Sequence, residues 1–228
     1  MQILPTITTI TGSAWLDKIK EVKKLGLKEV CLFPTCLEKE QREKLYALLK
    51  DTSVERIPFV HLRSDMELRE LDFLTHHYRT KIFNIHPRRE FAFLNGCDAY
   101  KKVICVENTY GFFDEEEVKE SGGICLDIAH LENDRLLQPD IYRADIKMLE
   151  KYPPKCSHIS VIKKKPVLDE PSQTKRITTH HMDDLSELDY LKRYPLEYFG
   201  QVAAIELENT IEEQLKAKEY ISALIKRR

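Results

Sequence analysis

No apolar run in this sequence is longer than a few residues. A helix needs roughly 20 apolar residues to cross a bilayer, so no membrane-spanning helix and no membrane partner are expected. Nor does the chain open with a basic segment, an apolar stretch and a small-residue cleavage site, so no secretory leader is expected. None of the six cysteines falls in a C-x-x-C pair. Without an export signal, the thiols are expected to be reduced in a cytoplasmic protein. No strong charge excess is present either: net charge is -2 and the pI is about 6.5. That balance demands neither nucleic acid nor an anionic surface as partner. There is no low-complexity tract and no Pro/Gly/Ser linker, so residues 1–228 are expected to form one domain.

What the chain does have is alternation. Short apolar, β-branched runs are separated by longer charged amphipathic runs. Eight strands are expected, at residues 2–10, 29–34, 56–62, 81–86, 102–107, 123–127, 155–161 and 201–208. Helices are expected near 13–25, capped by Ser13 and stopped at Gly26, and near 37–49, 64–77, 143–151, 185–193 and 211–226. Only a short helix or turn fits between the fourth and fifth strands, and a basic loop follows the seventh. Strands alternating with helices argue for an α/β fold with a parallel sheet. The length falls near the lower end of the range for a (β/α)8 barrel, roughly 200 to 400 residues, and leaves little room for long insertions. A doubly wound open sheet is the alternative. The placement of polar residues favours the (β/α)8 TIM barrel.

Parallel strands are buried on both faces and read as almost wholly apolar. These strands are not apolar at their C-terminal ends. The third carries His61 next to its end, the fourth ends in His86, the fifth in Glu107 and the sixth in Asp127. The seventh carries His158 and the eighth ends in Glu208. His130 follows shortly after the sixth strand, and His180 and His181 lie beyond the seventh. One such residue is ordinarily a satisfied polar group at a loop junction. Six at successive strand ends are harder to explain that way. All are nitrogen or oxygen donors suited to a divalent ion, and the C-terminal strand ends of a barrel converge on one active site. A divalent metal centre is therefore expected, with Zn²⁺ favoured and Mn²⁺ or Fe²⁺ as alternatives. Glu206, two residues before Glu208, should share its face. It is either a supporting partner or the true ligand of the eighth strand.

Several motifs carry a family resemblance. Asn84-Ile85-His86-Pro87, Glu107-Asn108-Thr109, Asp127-Ile128-Ala129-His130, Leu207-Glu208, and the single residues His61 and His158, resemble the xylose isomerase-like barrel superfamily. Within it they are closest to the endonuclease IV branch, AP endonuclease family 2. Thr178-Thr179-His180-His181 is similar to that branch's Asp-Arg-His-His, but Thr178 replaces the Asp, a metal ligand there. Two ions are therefore expected rather than three.

The resemblance implies a metal-dependent phosphodiesterase that uses activated water. His61 and His86 would hold one metal, Asp127 and His158 another, and His130 and His180 a third where it exists. Glu107 would bridge metals and position the nucleophile. The implied substrate is phosphorylated, either abasic-site DNA or a smaller molecule. Sugar isomerases and epimerases of the same superfamily share Glu-Asn and Asp-x-x-His and use a Glu, Asp, His, Glu set. Glu107, Asp127, His158 and Glu208 would serve as that set, with Glu107 and Glu208 as the catalytic pair moving a proton between carbons. A barrel that binds metal or sugar without turnover is the third reading. The number of histidines exceeds what an isomerase needs and ranks the phosphoesterase first.

Basic residues follow several of these strands: Arg63 after the third, Arg88 and Arg89 after the fourth, and Lys163, Lys164 and Lys165 after the seventh, with Lys175 and Arg176 beyond. Phosphate sites in barrels often lie in the late loops, so Arg63, Arg88, Lys163 and Lys164 are expected at the substrate phosphate. The alternative is a solvated charged loop. Cys105, Cys125 and Cys156 each lie two residues before a candidate ligand. They should point into the barrel as small fillers beneath the metal site. His76 and His77 should close a helix, and Trp15 should be a packing residue. Tyr110 or Phe112, after Glu107, could stack on substrate.

Overall fold

Eight short parallel strands close into a ring. They are β1 (Gln2–Thr8), β2 (Cys31–Phe33), β3 (Phe59–His61), β4 (Ile82–Ile85), β5 (Ile104–Glu107), β6 (Ile124–Asp127), β7 (Cys156–Ile159) and, last in the chain, β10 (Val202–Ile205). The order around the barrel is β1-β10-β7-β6-β5-β4-β3-β2, and pairing of β1 with both β10 and β2 closes it. Closure excludes the doubly wound sheet and gives the expected (β/α)8 TIM barrel. The computed structural model describes residues 1–10, 14–93, 96–109, 111–169 and 174–226. Ser13 and Tyr110, singled out above, lie outside the described residues.

Helices α1 (Trp15–Lys24), α2 (Lys39–Lys50) and α3 (Leu68–Tyr78) cover one half of the ring. The other half is covered by α4 (Glu115–Glu120), α5 (Ile128–Leu137), α6 (Pro139–Lys151) and α7 (Ile211–Lys226). The helix between β4 and β5 shrinks to a 3₁₀ turn, Asp98–Val103, and two more 3₁₀ segments, Leu185–Arg193 and Leu196–Phe199, precede β10. The local causes are visible in the chain. Glu38 with Gln41, and Glu67 with Glu70, close reciprocal capping boxes at the starts of α2 and α3. Ile19 and Val22, three apart on α1, turn one stripe into the core. Trp15 packs on the same core, as expected. His76 and His77 lie in the last turn of α3, where His77 stacks on Phe73. Among the described residues no helix is long and apolar enough to cross a membrane.

Three expectations change. The seventh strand stops at Ile159, and the basic stretch after it is an antiparallel hairpin outside the ring rather than a loop. It is built from β8 (Val161–Asp169) and β9 (Thr174–Thr179). β-Branched residues sit in its ladder, Val161 opposite Thr179, Ile162 opposite Thr178 and Val167 opposite Arg176. The lysines among them mask that pattern. The segment holding His130 is helical, because Asp127 caps α5 by accepting the His130 N–H at 2.8 Å. The following helix begins earlier than residue 143, since Pro139 fits its first turn.

The interior of the ring is filled by Leu4, Phe33 and Phe59 together with the thiols of Cys105, Cys125 and Cys156. Period-two alternation thus puts the three cysteines inside, as expected. All six cysteines are free. Gly200 sets the approach of β10 to β7. Its φ is +62°, and a Cβ there would lie 2.5 Å from the Lys155 backbone, a position open only to glycine. The close pass lets the Gln201 N–H reach the Lys155 carbonyl at 2.8 Å.

Candidate metal centre

Register decides which strand ends meet. Asp127 pairs with His158, and His158 with Ala204. On the other side His61 pairs with Asn84, and Asn84 with Cys105, two residues before Glu107. Inward-facing positions repeat every second residue, so Glu107, Asp127 and His158 form the layer directly above the three thiols. Glu206 stands two beyond Ala204 and continues the same inward line.

Glu107 is the hub of this layer and is 3% exposed. One of its oxygens is 3.0 Å from His61 Nε2 and accepts a bond from Asn84 Nδ2 at 2.7 Å. The other is 3.5 Å from His158 Nδ1. His158 Nδ1 is also 3.4 Å from a Glu206 oxygen. Two groups of donors result, His61 with His86 and Glu107, and Glu107 with Asp127 and His158. Within each group one donor atom per residue lies within 4.8 Å of the others. The barrel therefore carries two overlapping divalent-metal donor clusters that share Glu107. Asp127 Oδ2 and His158 Nε2 are buried without a hydrogen-bond partner. An unpaired buried polar group costs about 1–3 kcal/mol, and more when charged, so a cation fits these residues.

The imidazole rings around this layer are held from behind. His61 Nδ1 lies 2.9 Å from the Leu62 carbonyl, and His130 Nδ1 lies 3.0 Å from the Asn108 carbonyl. In both rings this leaves Nε2 toward a carboxylate, Glu107 for His61 and Asp127, at 3.6 Å, for His130. Asn108 also grips the Asp127 backbone twice, accepting its N–H at 2.6 Å and donating to its carbonyl at 3.1 Å. Glu90 stands 3.1 Å from His86 Nδ1 and accepts a bond from the Thr109 hydroxyl, which itself accepts from Arg89 at 2.9 Å. A carboxylate behind a ligating imidazole orients the ring and raises its basicity. Glu90→Gln is accordingly expected to weaken metal binding about tenfold, readable by titration against a competing chelator.

Charges in this layer compensate one another. Burial opposes ionisation of Glu107, but the His158 charge and bonds from His158 and His61 hold it well below the usual carboxylate range. Burial opposes ionisation of Glu206 too, yet His180 and His158 bring it to about 2. Burial raises Asp127, despite His130. Burial lowers His61 more than Glu107 raises it. His130 is raised to about 9, because Asp127 and Glu107 outweigh its burial.

Above this layer a cavity of about 410 Å³ opens, lined in part by His61, His86, Glu107, His130, His180 and Glu206. Asp127 and His158 lie beneath it, fully buried. Glu208 does not line it. The strand ends at Ile205, Leu207 turns into the apolar layer outside the ring, and the Glu208 N–H bonds to the His180 carbonyl at 2.6 Å. The carboxylate of the eighth barrel strand that reaches the cavity is Glu206.

Of the basic residues expected at phosphate, Arg63 lines the cavity, held by Glu38 at 2.8 Å and Asp65 at 3.0 Å. Arg88 is engaged by Glu117 and Glu120, and Lys163 by Asp183 and Glu187. Lys164 is exposed on β8. Thr178 pairs with Ile162 in the hairpin, and His181 is largely exposed beside Asp183. Phe112 is exposed and does not line the cavity, whereas Phe91 does, with its ring 5.6 Å from that of His86.

No family model and no curated protein matches this sequence. Solved structures do. A xylose isomerase-like TIM barrel protein from Mycobacterium smegmatis, in complex with magnesium, aligns over 99% of this chain and 97% of that chain, with a TM-score of 0.52 and 11% identity. The chain shares the TIM barrel fold of that protein. At 11% identity the likeness concerns the path of the chain alone. Two residues at the candidate centre that the sequence pattern did not single out are Glu90, beside His86, and Phe91, in the cavity lining. Both lie in the turn after β4, where no periodicity marks them. The spacing of Glu90 four residues after His86 is the one available signal.

Proposed function

We propose that this chain is a divalent-metal-dependent hydrolase that cleaves a phosphoester bond, holding its metals as endonuclease IV does. The observation that carries this reading is Glu107, whose two oxygens have different partners, one His61 and the other His158. A carboxylate so placed suits two ions rather than one. His61, His86 and Glu107 would hold one, and Glu107, Asp127 and His158 the other, with His130, His180 and Glu206 beside them. The wealth of imidazole favours Zn²⁺, with Mn²⁺ or Fe²⁺ as alternatives. Bound divalent ions supply Lewis acidity, polarising a phosphoryl oxygen and lowering the pKa of water.

The chain's own groups do the rest. His158 and His61 keep the Glu107 carboxylate ionised, and the Asn84 bond helps to aim it, so that it can orient an attacking water. Arg63, fixed at the rim by Glu38 and Asp65, is placed to meet a phosphate. A cavity of about 410 Å³ suits a sugar phosphate or a single extruded nucleotide. With Arg88 and Lys163 already engaged by carboxylates and a net charge of -2, a small phosphorylated substrate is favoured over abasic-site DNA. Six free thiols suit a reducing, cytoplasmic setting.

One observation favours a second reading. Glu206 beside His158 completes a Glu, Asp, His, Glu ring from Glu107, Asp127, His158 and Glu206, the set of a sugar isomerase or epimerase. Glu107 and Glu206 would then move a proton between adjacent carbons of one sugar.

Elemental analysis of the purified protein separates the two readings. Two ions per chain, with EDTA-sensitive cleavage of a phosphoester, support the hydrolase. A single ion, with exchange of a substrate C–H proton in deuterated solvent, supports the isomerase and ends the first reading. If neither activity appears, the barrel binds metal or sugar without turnover.

A further inference from the structure

Lysine is rarely buried, yet Lys18 on α1 is 3% exposed. Its Nζ donates to the Thr8 hydroxyl at 2.5 Å and to the Leu207 carbonyl at 2.6 Å. Both acceptors are neutral. Glu208, Glu21 and Glu206 act on the ammonium from farther away, and burial outweighs them, lowering its pKa to about 8.

The same Leu207 carbonyl accepts two further bonds, from the Thr8 hydroxyl at 3.0 Å and from Gln214 Nε2 on α7 at 3.0 Å. A carbonyl oxygen has two lone pairs. Thr8 and Gln214 already satisfy it, so Lys18 is not needed to keep that oxygen from being orphaned. A buried ammonium carries a desolvation cost that an apolar side chain would avoid. Stability alone therefore does not account for lysine here.

The position of Leu207 does. The β1–β10 ladder ends at the pair Pro5 and Ile205. The next residue is Glu206, whose N–H is held by the Ile159 carbonyl of β7 at 2.8 Å. The residue after that is Leu207. Glu206 is thus fixed on one side by the barrel and on the other by the three donors on Leu207, just where the seam between first and last strands runs out.

We propose that Lys18 is a positioning residue of the metal centre: its buried ammonium pins the Leu207 carbonyl and so sets the angle at which the Glu206 carboxylate enters the cavity. This rests on the reading of Glu206 as part of a divalent-metal site. Lys18 does not line the cavity. It acts through one peptide unit, from the helix that follows β1 to the strand that closes the ring.

The test is a double-mutant cycle on the full chain, stripped with chelator and titrated with Zn²⁺ against a chromophoric competitor. Lys18→Met fills the same volume without the charge. Zn²⁺ affinity is expected to fall about tenfold in the otherwise unchanged protein, and not to fall further in a Glu206→Gln background. The melting temperature of Lys18→Met should be unchanged or higher, which a purely structural role would not produce. Equal weakening in both backgrounds, or no weakening, overturns the inference while leaving the metal centre standing. A parent protein that takes up no Zn²⁺ ends the metal-centre reading, and this inference with it. Should Lys18→Met not fold, Thr8→Val removes the other rung of the latch and is read by the same cycle, with the same two outcomes.

Discussion

Glu107→Gln is expected to abolish metal-dependent turnover and to weaken both donor clusters at once. Glutamine keeps the shape of the side chain and an oxygen for the Asn84 bond, but it loses the charge and one of two ligating oxygens. Loss of an outer-sphere partner typically costs 10- to 100-fold in metal affinity. Loss of a shared ligand should exceed the upper end of that range, at roughly a hundredfold or more, and should empty the two sites together. Asp127→Asn supplies the contrast, because Asp127 belongs to only one cluster. It should lower the metal-to-protein ratio by one ion and spare the other. The metal-free protein should also suffer. Glu107 and His158 are both buried, and removing one member of a buried ion pair costs about 3–5 kcal/mol. Urea unfolding in EDTA checks that figure, and atomic absorption after dialysis checks the ion count. Loss of a single ion on Glu107→Gln would contradict the shared carboxylate.

Asp145→Asn should do the opposite and stabilise the protein, by more at pH 8 than at pH 5. Asp145 lies on α6, 1% exposed, and neither of its carboxyl oxygens has a hydrogen-bond partner. Burial, reinforced by Asp134 and only partly offset by Arg89, lifts its pKa to about 8 from the ordinary 3.8. The folded state therefore keeps a proton that the unfolded state has already released. Where the folded state binds more protons, stability falls as pH rises. The loss begins near pH 4 and ends near pH 8. Each pKa unit is worth about 1.4 kcal/mol, so the penalty reaches several kcal/mol at the upper end. An amide titrates nowhere in this window and removes the slope, although it still lacks partners. The expected net gain is a few kcal/mol at pH 8, shrinking toward pH 5. Denaturant titrations at the two pH values measure it. A gain independent of pH would show that Asp145 is not a neutral buried acid.

The ring and most of its centre were legible in the sequence for one physical reason. Strands buried on both faces have no use for His, Asp or Glu, so His61, Glu107, Asp127 and His158 stood out against the apolar residues around them. Period two then placed Cys105, Cys125 and Cys156 beneath. The eighth barrel strand shows where this reasoning ends. Glu206 and Glu208 share a parity, and the difference between them depends on where the strand stops, which Leu207 decides by packing outward. Charge counting along the chain is incomplete for a related reason. Arg88 and Lys163 look available along the chain, but Glu117, Glu120, Asp183 and Glu187, which engage them, approach from other elements. Asn108 and Glu90 act from behind the ligands, on backbone and ring nitrogens, and such roles leave no periodic trace.

The hairpin of β8 and β9 has a further meaning. Its first strand begins two residues after the last residue of β7, and its second ends immediately before His180. Both of its feet therefore stand at the rim of the cavity, while neither strand pairs with the ring. Such an element is modular. Lengthening, shortening or exchanging its outer part leaves the hydrogen-bonded cylinder intact, yet changes what is presented above the donors. Divergence of substrate range among descendants of this chain should concentrate there, with the cylinder and its carboxylates held constant.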